Sequence, residues 1–410
     1  HTMKKELNDR WLRISFLNLL IVALLGVILR YKIAFSLPFV DQKFLLHAHS
    51  HFAFSGWLTQ ILMAFIANYI LSHDENASPK KFNILLWGNL ISAYGMLFSF
   101  PFEGYGAVSI FFSTASIFNA YGFAVVAWKG LNKIVSKDSS HLWFKAALLF
   151  SAISSLGAFS LAFMMATKTI NQDLYLAAVY FFLHFQYNGW FFFAGVGLLM
   201  LHLTKNNIAI ALPTQKLIFW LFSLSLLPVY FLSALWLPVA KSLYPIIVVA
   251  SFVEFTGFIL LLKALRKNSG EILASLDKPV RWLWTMALIA FCIKVLLQMC
   301  SAIPSLNMIT YGFRPIVIGY LHLVLLGMLS IFLTGYFLSV CRINYSGMLI
   351  KGLIIFVSGI ILNELMLMLQ GITGLTYVPV PYINEALLIC ALIMFTGLVM
   401  INKNIWSRTG

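Results

Sequence analysis

Five histidines hold the chemistry available to this sequence: His47, His49, His51, His184 and His322. Each lies inside a long apolar segment. An imidazole there is costly unless it is hydrogen-bonded, paired or bound to a metal. His47 and His51 are four residues apart and share a helix face. His49 faces the opposite way, because two residues turn a helix by about 200°. The triplet therefore serves two directions. Imidazole nitrogen suits haem iron, copper or zinc, and no acidic residue lies near enough in sequence to choose among them.

Three of these histidines share one pattern. His51 is followed by Gly56 and Trp57, His184 by Gly189 and Trp190, and His322 by Gly327 and Met328. The intervals of 133 and 138 residues are close to one third of the chain. A weaker echo links Phe255-Thr256-Gly257 to Phe395-Thr396-Gly397, with Tyr121-Gly122 as a faint counterpart. A glycine five residues beyond a histidine lies some 140° around the helix. It admits close approach by a neighbouring helix or a flat macrocycle.

Other polar groups fall inside apolar segments. Glu254, Lys294, Gln298, Asn363 and Glu364 are functional candidates by default. Glu254, Lys294 and Glu364 are read either as a proton or ion path or as a structural pair of Lys294 with Glu254 or Glu364. Arg314, at the mouth of the His322 segment, is read as a partner for a haem propionate or as an interface anchor. His73, His141 and His202 fall near segment ends and are expected to be solvated. The four cysteines show no CxxC spacing, which excludes c-type haem attachment and a thiolate zinc site. They are expected to be small buried hydrophobes.

The elements that position these groups follow from composition. The 410 residues are 61% apolar and 10% charged, against about 45–50% and 25% in soluble domains. Mean hydropathy is +0.90. A soluble enzyme, a disordered chain, a nucleic-acid-binding module and a disulfide scaffold are excluded. An all-α polytopic membrane protein remains. A span needs about 20 apolar residues, and twelve segments qualify: 12–30, 44–72, 82–100, 105–128, 142–167, 174–203, 216–238, 243–265, 281–301, 313–340, 347–370 and 381–402. The first lacks a small-residue cleavage signature and is expected to stay as a helix. The histidine pattern falls in the second, sixth and tenth segments. This predicts three parallel four-helix repeats, 12–128, 142–265 and 281–402, in a pseudo-threefold arrangement within one membrane domain of residues 1–410. The three histidines then share one depth, some 10–15 Å below the outer surface at about 1.5 Å per residue.

Charge sets the orientation. The net charge of +15 concentrates on one side. Twenty-one of the Lys and Arg residues lie on the same side of the spans as the N-terminus, among them Lys4, Lys5, Lys137, Arg342 and Arg408, and six lie on the other. Lys294 sits within a span. The bias predicts both termini in the cytoplasm, in a bacterial-type inner membrane.

Twelve helices with histidines on the second, sixth and tenth resemble subunit I of the haem–copper oxidase superfamily. The run from His47 to Trp57 is similar to the HxHxxxxGW signatures of oxidase-like and NnrS-type proteins. The resemblance implies b-type haem between His51 (or His49) and His322, and copper at His184. His184 with His47 or His49 is read as the holder of a second metal. Two departures stand out. The first position of the His-x-His pair expected in the tenth helix is Tyr320, and the seventh segment, around Pro228, has no histidine pair. The resemblance thus implies a low-spin haem without a complete oxygen-reducing centre, in a redox or gas-related role such as nitric oxide stress. Three rivals use the same residues. One is a copper, zinc or haem transporter or chaperone. Another is a three-His metal site of His51, His184 and His322. The last is a non-redox membrane protein whose histidines knit helices together.

Overall fold

Long runs of Leu, Ile, Val, Phe and Ala, punctuated by Pro, Gly and charged residues, dictate helices with short turns. The computed structural model describes residues 9–136, 138–341, 343, 345–376 and 378–407, and in these the regular structure is entirely helical. Lys4, Lys5, Lys137, Arg342 and Arg408 of the charge count lie outside the described residues.

Eleven helices are long and apolar enough to cross a membrane. They are α1 (Arg10–Ala34), α2 (Gln42–His73), α3 (Pro79–Glu103), α4 (Ala107–Lys133), α5 (Ser140–Ala166), α7 (Leu212–Ala234), α8 (Tyr244–Lys267), α9 (Lys278–Cys300), α10 (Arg314–Val340), α11 (Gly347–Leu375) and α12 (Ile383–Trp406). Between α5 and α7, residues 172–205 form a further long helical run, α6. It is not among the eleven because its centre carries His184, Gln186 and Asn188, which dilute its apolar character. Large apolar side chains remain exposed along these helices, as at Phe98 (65%), Phe111 (65%) and Leu224 (67%). Apolar flanks of this kind suit lipid rather than water.

The chain forms two compact units. One holds the residues up to Ile134 and from Phe337 onward, and the other holds Val135–Tyr336. This division runs across the three expected four-helix repeats. In the first unit α12 packs on both α1 and α11, and α3 packs on α2 and α4. In the second, α6 lies against α5, α8 against α7, and α10 against α9.

Three helices contain a π-helical turn: Ala53–Thr59 in α2, Phe185–Phe191 in α6 and Leu323–Ser330 in α10. Each begins one or two residues after His51, His184 or His322. Such turns are rare and are found mostly at functional sites. A π turn shifts the bonding pattern by one residue, so its carbonyls need other partners. In α2 they have them. Asn18 of α1 donates to the Gly56 carbonyl (2.6 Å), and Asn89 of α3 donates to that of Ser55 (2.9 Å). Both asparagines are buried.

Glycines set close helix contacts at matching places. A Cβ on Gly189 would come within 2.7 Å of Phe150 of α5, and one on Gly327 within 3.4 Å of Ala290 of α9. On the last helix of each expected repeat, Gly122 faces Leu85 of α3, Gly257 faces Leu221 of α7, and Gly397 faces the Phe356 backbone of α11. These glycines accommodate neighbouring helix atoms.

Candidate functional site

Two polar clusters lie within the helices, one in each unit. In the first, α2 carries the histidine triplet, and its faces divide as helical geometry requires. His49 turns toward α1, where its Nδ1 lies 3.1 Å from the Val22 carbonyl. A carbonyl only accepts, so this nitrogen carries the proton and Nε2 holds the lone pair. His47 and His51 turn the other way. The His51 ring stacks on Phe100 of α3 at 4.6 Å, and its Nε2 lies 3.1 Å from the Tyr105 hydroxyl. His47 meets the Tyr105 ring edge-on at 4.7 Å, and its Nε2 is buried with no hydrogen-bond partner.

Tyr105 reaches α2 through the turn between α3 and α4. Gly104 adopts a left-handed backbone (φ +59°), where a side chain would also strike Phe44. Glu103 accepts the Ser109 backbone N–H at 2.6 Å and so caps the first turn of α4. Sequence reasoning missed Phe100 and Tyr105. The Gly104-Tyr105-Gly106 turn was the available signal.

In the second unit His184 is 2% exposed, and both of its ring nitrogens are engaged. Nε2 donates to the Leu226 carbonyl of α7 (2.9 Å), and Nδ1 accepts from the Asn188 amide (3.1 Å). Asn188 lies in the π turn itself. The arrangement ties α6 to α7 just before Pro228, where α7 tightens to a 3₁₀ turn at Tyr230–Ala234. A copper ion at His184 would require one of these bonds to break.

Lys294 of α9 is within electrostatic reach of His184. Of the two pairings expected for it, the structure makes the one with Glu254 of α8, at 3.6 Å. Gln298 donates to the second Glu254 oxygen (2.7 Å). Glu364 belongs to the other unit, where Asn363 donates to it (3.2 Å) and Arg30 lies within electrostatic reach. The three groups read as one path are thus not one cluster: Glu254 and Lys294 come together, and Glu364 stands in other company.

His322 of α10 lies half-buried directly before its π turn. Its Nδ1 lies 2.8 Å from the Ile318 carbonyl, so this ring too holds its lone pair on Nε2. Tyr320, which occupies the first position of the expected His-x-His pair, packs edge-on against Tyr187 at 6.2 Å. Arg314 is exposed in the first turn of α10.

Two expectations are corrected. His141 and His202 are buried, each 8% exposed, not solvated. The His202 Nε2 lies 3.1 Å from the Ser275 hydroxyl, and its ring packs edge-on against Trp284, so a polar partner and an aromatic wall take the place of water. His73 is exposed as expected. Among the cysteines, Cys390 is buried, Cys292 and Cys341 are half-buried, and Cys300 is exposed.

Among the described residues no three His, Cys, Asp or Glu side chains form a group able to hold a metal ion. No family model matches the chain. No curated protein matches it either. The fold and the clusters define an all-helical protein with many candidate membrane spans and buried, oriented histidines.

Proposed function

We propose that the chain is a twelve-span, haem-binding membrane protein of oxidase-like fold, with a redox or gas-related role. The single observation that carries this reading is the tautomer of His322 and His49. Each gives its Nδ1 proton to a backbone carbonyl. Histidines that ligate metals are typically held this way, with the second ring nitrogen tied to an acceptor.

The donor set fits haem better than a bare ion. A structural zinc or copper site needs three or four protein donors. The α2 cluster offers imidazoles, an aromatic wall of Phe100 and Tyr105, and the orphaned His47 Nε2. A porphyrin supplies four donors of its own and leaves one or two to imidazole. By the resemblance, His322 and one of His51 or His49 would hold the haem iron. When bound, such a haem supplies one-electron chemistry. Ile318 and Val22 orient the rings, and Phe100 shields His51 from solvent. His184, with both nitrogens hydrogen-bonded, acts as a helix tie in this reading, and copper is left to the test.

The same proposal includes three parallel repeats and cytoplasmic termini. Its support is the recurrence of the π turn after each repeat histidine, and the recurrence of a glycine contact on α4, α8 and α12 with the preceding helix.

The test is an optical spectrum of the purified protein, oxidised and dithionite-reduced, with metal analysis on the same sample. A sharp reduced α-band with one iron per chain is expected in the wild type, with loss of haem in His322→Ala. Comparison of His49→Ala with His51→Ala then identifies the second ligand. Full haem content in His322→Ala, or a featureless spectrum, overturns the reading. Copper or zinc without iron supports metal transport instead.

A further inference from the structure

One end of the second unit gathers cations with few counter-charges. From Lys263 to Arg281 the chain holds five of them, Lys263, Arg266, Lys267, Lys278 and Arg281, against two carboxylates, Glu271 and Asp277. Lys263, Arg266 and Lys267 occupy the last turns of α8, and Lys278 opens α9. Two neighbouring helices add to them. Gly257 of α8 packs on Leu221 and Phe222 of α7. Both helices run on from that contact to the same end, which sets Lys216 level with Lys263. The His202 contact with Ser275 (3.1 Å) brings the end of α6, and with it Lys205, to the turn between α8 and α9. All of these cations except Arg281 are exposed. Arg281 is half-buried, and its Nε closes the turn by donating to the Leu276 carbonyl (2.7 Å). Among the described residues none of these cations enters an ion pair. Lys133 of the first unit shows the contrast, since Asp74 answers it at 3.7 Å.

The turn between α8 and α9 also carries apolar surface. A short helix, Ser269–Ala274, lies within it and has no buried residue. Leu273, between Lys267 and Lys278 in sequence, is 43% exposed. A leucine among lysines and arginines at the end of bilayer-spanning helices suits the boundary where acyl carbons begin beneath charged headgroups. We propose that this end of the second unit is a docking surface for anionic phospholipid of the phosphatidylglycerol class. Its phosphodiester carries a negative charge with no ammonium to cancel it. Arg266 and the lysines beside it donate to the phosphate oxygens. Clusters of Lys and Arg immediately beyond the hydrocarbon attract anionic lipid in this way. A choline or ethanolamine headgroup brings its own cation into a field of cations and is disfavoured by repulsion. The surface therefore selects by charge. It depends on the bilayer placement of the helices and is independent of haem.

The experiment is native mass spectrometry of the full chain in a mild detergent. The delipidated protein is offered equal amounts of palmitoyl-oleoyl phosphatidylglycerol, phosphatidylethanolamine and phosphatidylcholine. Retention of phosphatidylglycerol at least about fivefold above the other two is expected, the scale of one cation at an anionic surface. The triple variant Lys263→Gln/Arg266→Gln/Lys267→Gln is expected to cut that retention by at least about tenfold. The control Lys80→Gln/Lys81→Gln/Lys129→Gln removes the same charge from exposed positions of the first unit. It is expected to leave retention within about twofold of the wild type, because the attraction is local. All six side chains are exposed, so both variants keep the core intact. Lys267→Gln alone, expected to lower retention by about fivefold, keeps the test informative if a triple variant folds poorly. Free sn-glycerol 3-phosphate is added in competition. Selective retention that survives it and is lost only in the α8 variants supports the proposal. Equal retention of the three lipids, equal loss in the two triple variants, or displacement of the lipid by sn-glycerol 3-phosphate, which assigns the surface to a soluble phosphate ester, overturns it.

Discussion

Lys294 and Glu254 are 3% and 7% exposed, so little solvent reaches either charge. Each is tolerable because the other is 3.6 Å away, with Gln298 completing the carboxylate. Removal of one partner leaves an uncompensated buried charge, which typically costs about 3–5 kcal/mol. Lys294→Met is therefore expected to destabilise the fold by about that amount. The double variant Lys294→Met/Glu254→Leu is expected to recover most of the loss, since an apolar pair of similar volume carries no desolvation penalty. Unfolding titrations in mixed micelles measure both, and a double variant no more stable than the single would refute the pairing account. The histidines show the same logic. His184 is satisfied on both nitrogens and behaves as a tie between helices, whereas His322 and His49 each give Nδ1 to a backbone carbonyl. Residue type alone does not separate these cases. The partner that decides each one is a backbone carbonyl, which every residue has and no sequence marks.

The π turn is the feature that recurs from helix to helix. The sequence carried its trace as a His five residues ahead of a Gly, at intervals near a third of the chain. That trace was legible as a repeat but not as a backbone irregularity, because Gly56 in Ala53–Thr59 and Gly327 in Leu323–Ser330 serve close helix packing as readily as a wider turn. What sustains the turn in α2 lies on other helices: Asn18 and Asn89 fill the carbonyls of Gly56 and Ser55. Asn89 also donates to Gln60 just beyond the turn (2.7 Å). Asn89→Leu is expected to leave a buried carbonyl unpaired and to cost about 1–3 kcal/mol, read as a lowered melting temperature in detergent. If α2 in fact holds its turn by its own packing, the variant will melt with the wild type. The same substitution is expected to lower haem retention, because a relaxed turn rotates His51 and His49 relative to the C-terminal half of α2.

Over the whole molecule, charge asymmetry and apolar length set the constraints. Eleven helices pass the length and hydropathy needed to span, and α6 completes an even number if it crosses too. On the proposed reading, the Lys and Arg bias is then expected to put both termini on the cytoplasmic side. A C-terminal green fluorescent protein fusion is expected to fluoresce in cells and an alkaline phosphatase fusion at the same point to be inactive. The reverse result would remove either α6 from the spans or the orientation from the proposal. The division into two units has no counterpart in the repeat pattern. Contacts group α11 and α12 with α1, because α12 packs along α1 and Asn402 of α12 donates to the Phe16 carbonyl (3.1 Å). Such a contact joins residues at opposite ends of the chain, and a local repeat says nothing of it.

The amino-acid sequence by itself determined the class of the protein, since an apolar fraction this large leaves no alternative to helices that satisfy their own backbone in lipid. It also determined the division of the α2 histidines onto two faces, which follows from helical geometry alone. Tertiary structure decided the rest. It chose Glu254 over Glu364 for Lys294, gave His184 a structural engagement on both nitrogens, buried His141 and His202, and brought Tyr105 and Phe100 onto His47 and His51. Each of those outcomes depends on which helix lies beside which. Neighbours in a helix bundle are set by packing between distant segments, and their partners here are carbonyls and ring faces that leave no pattern along the chain.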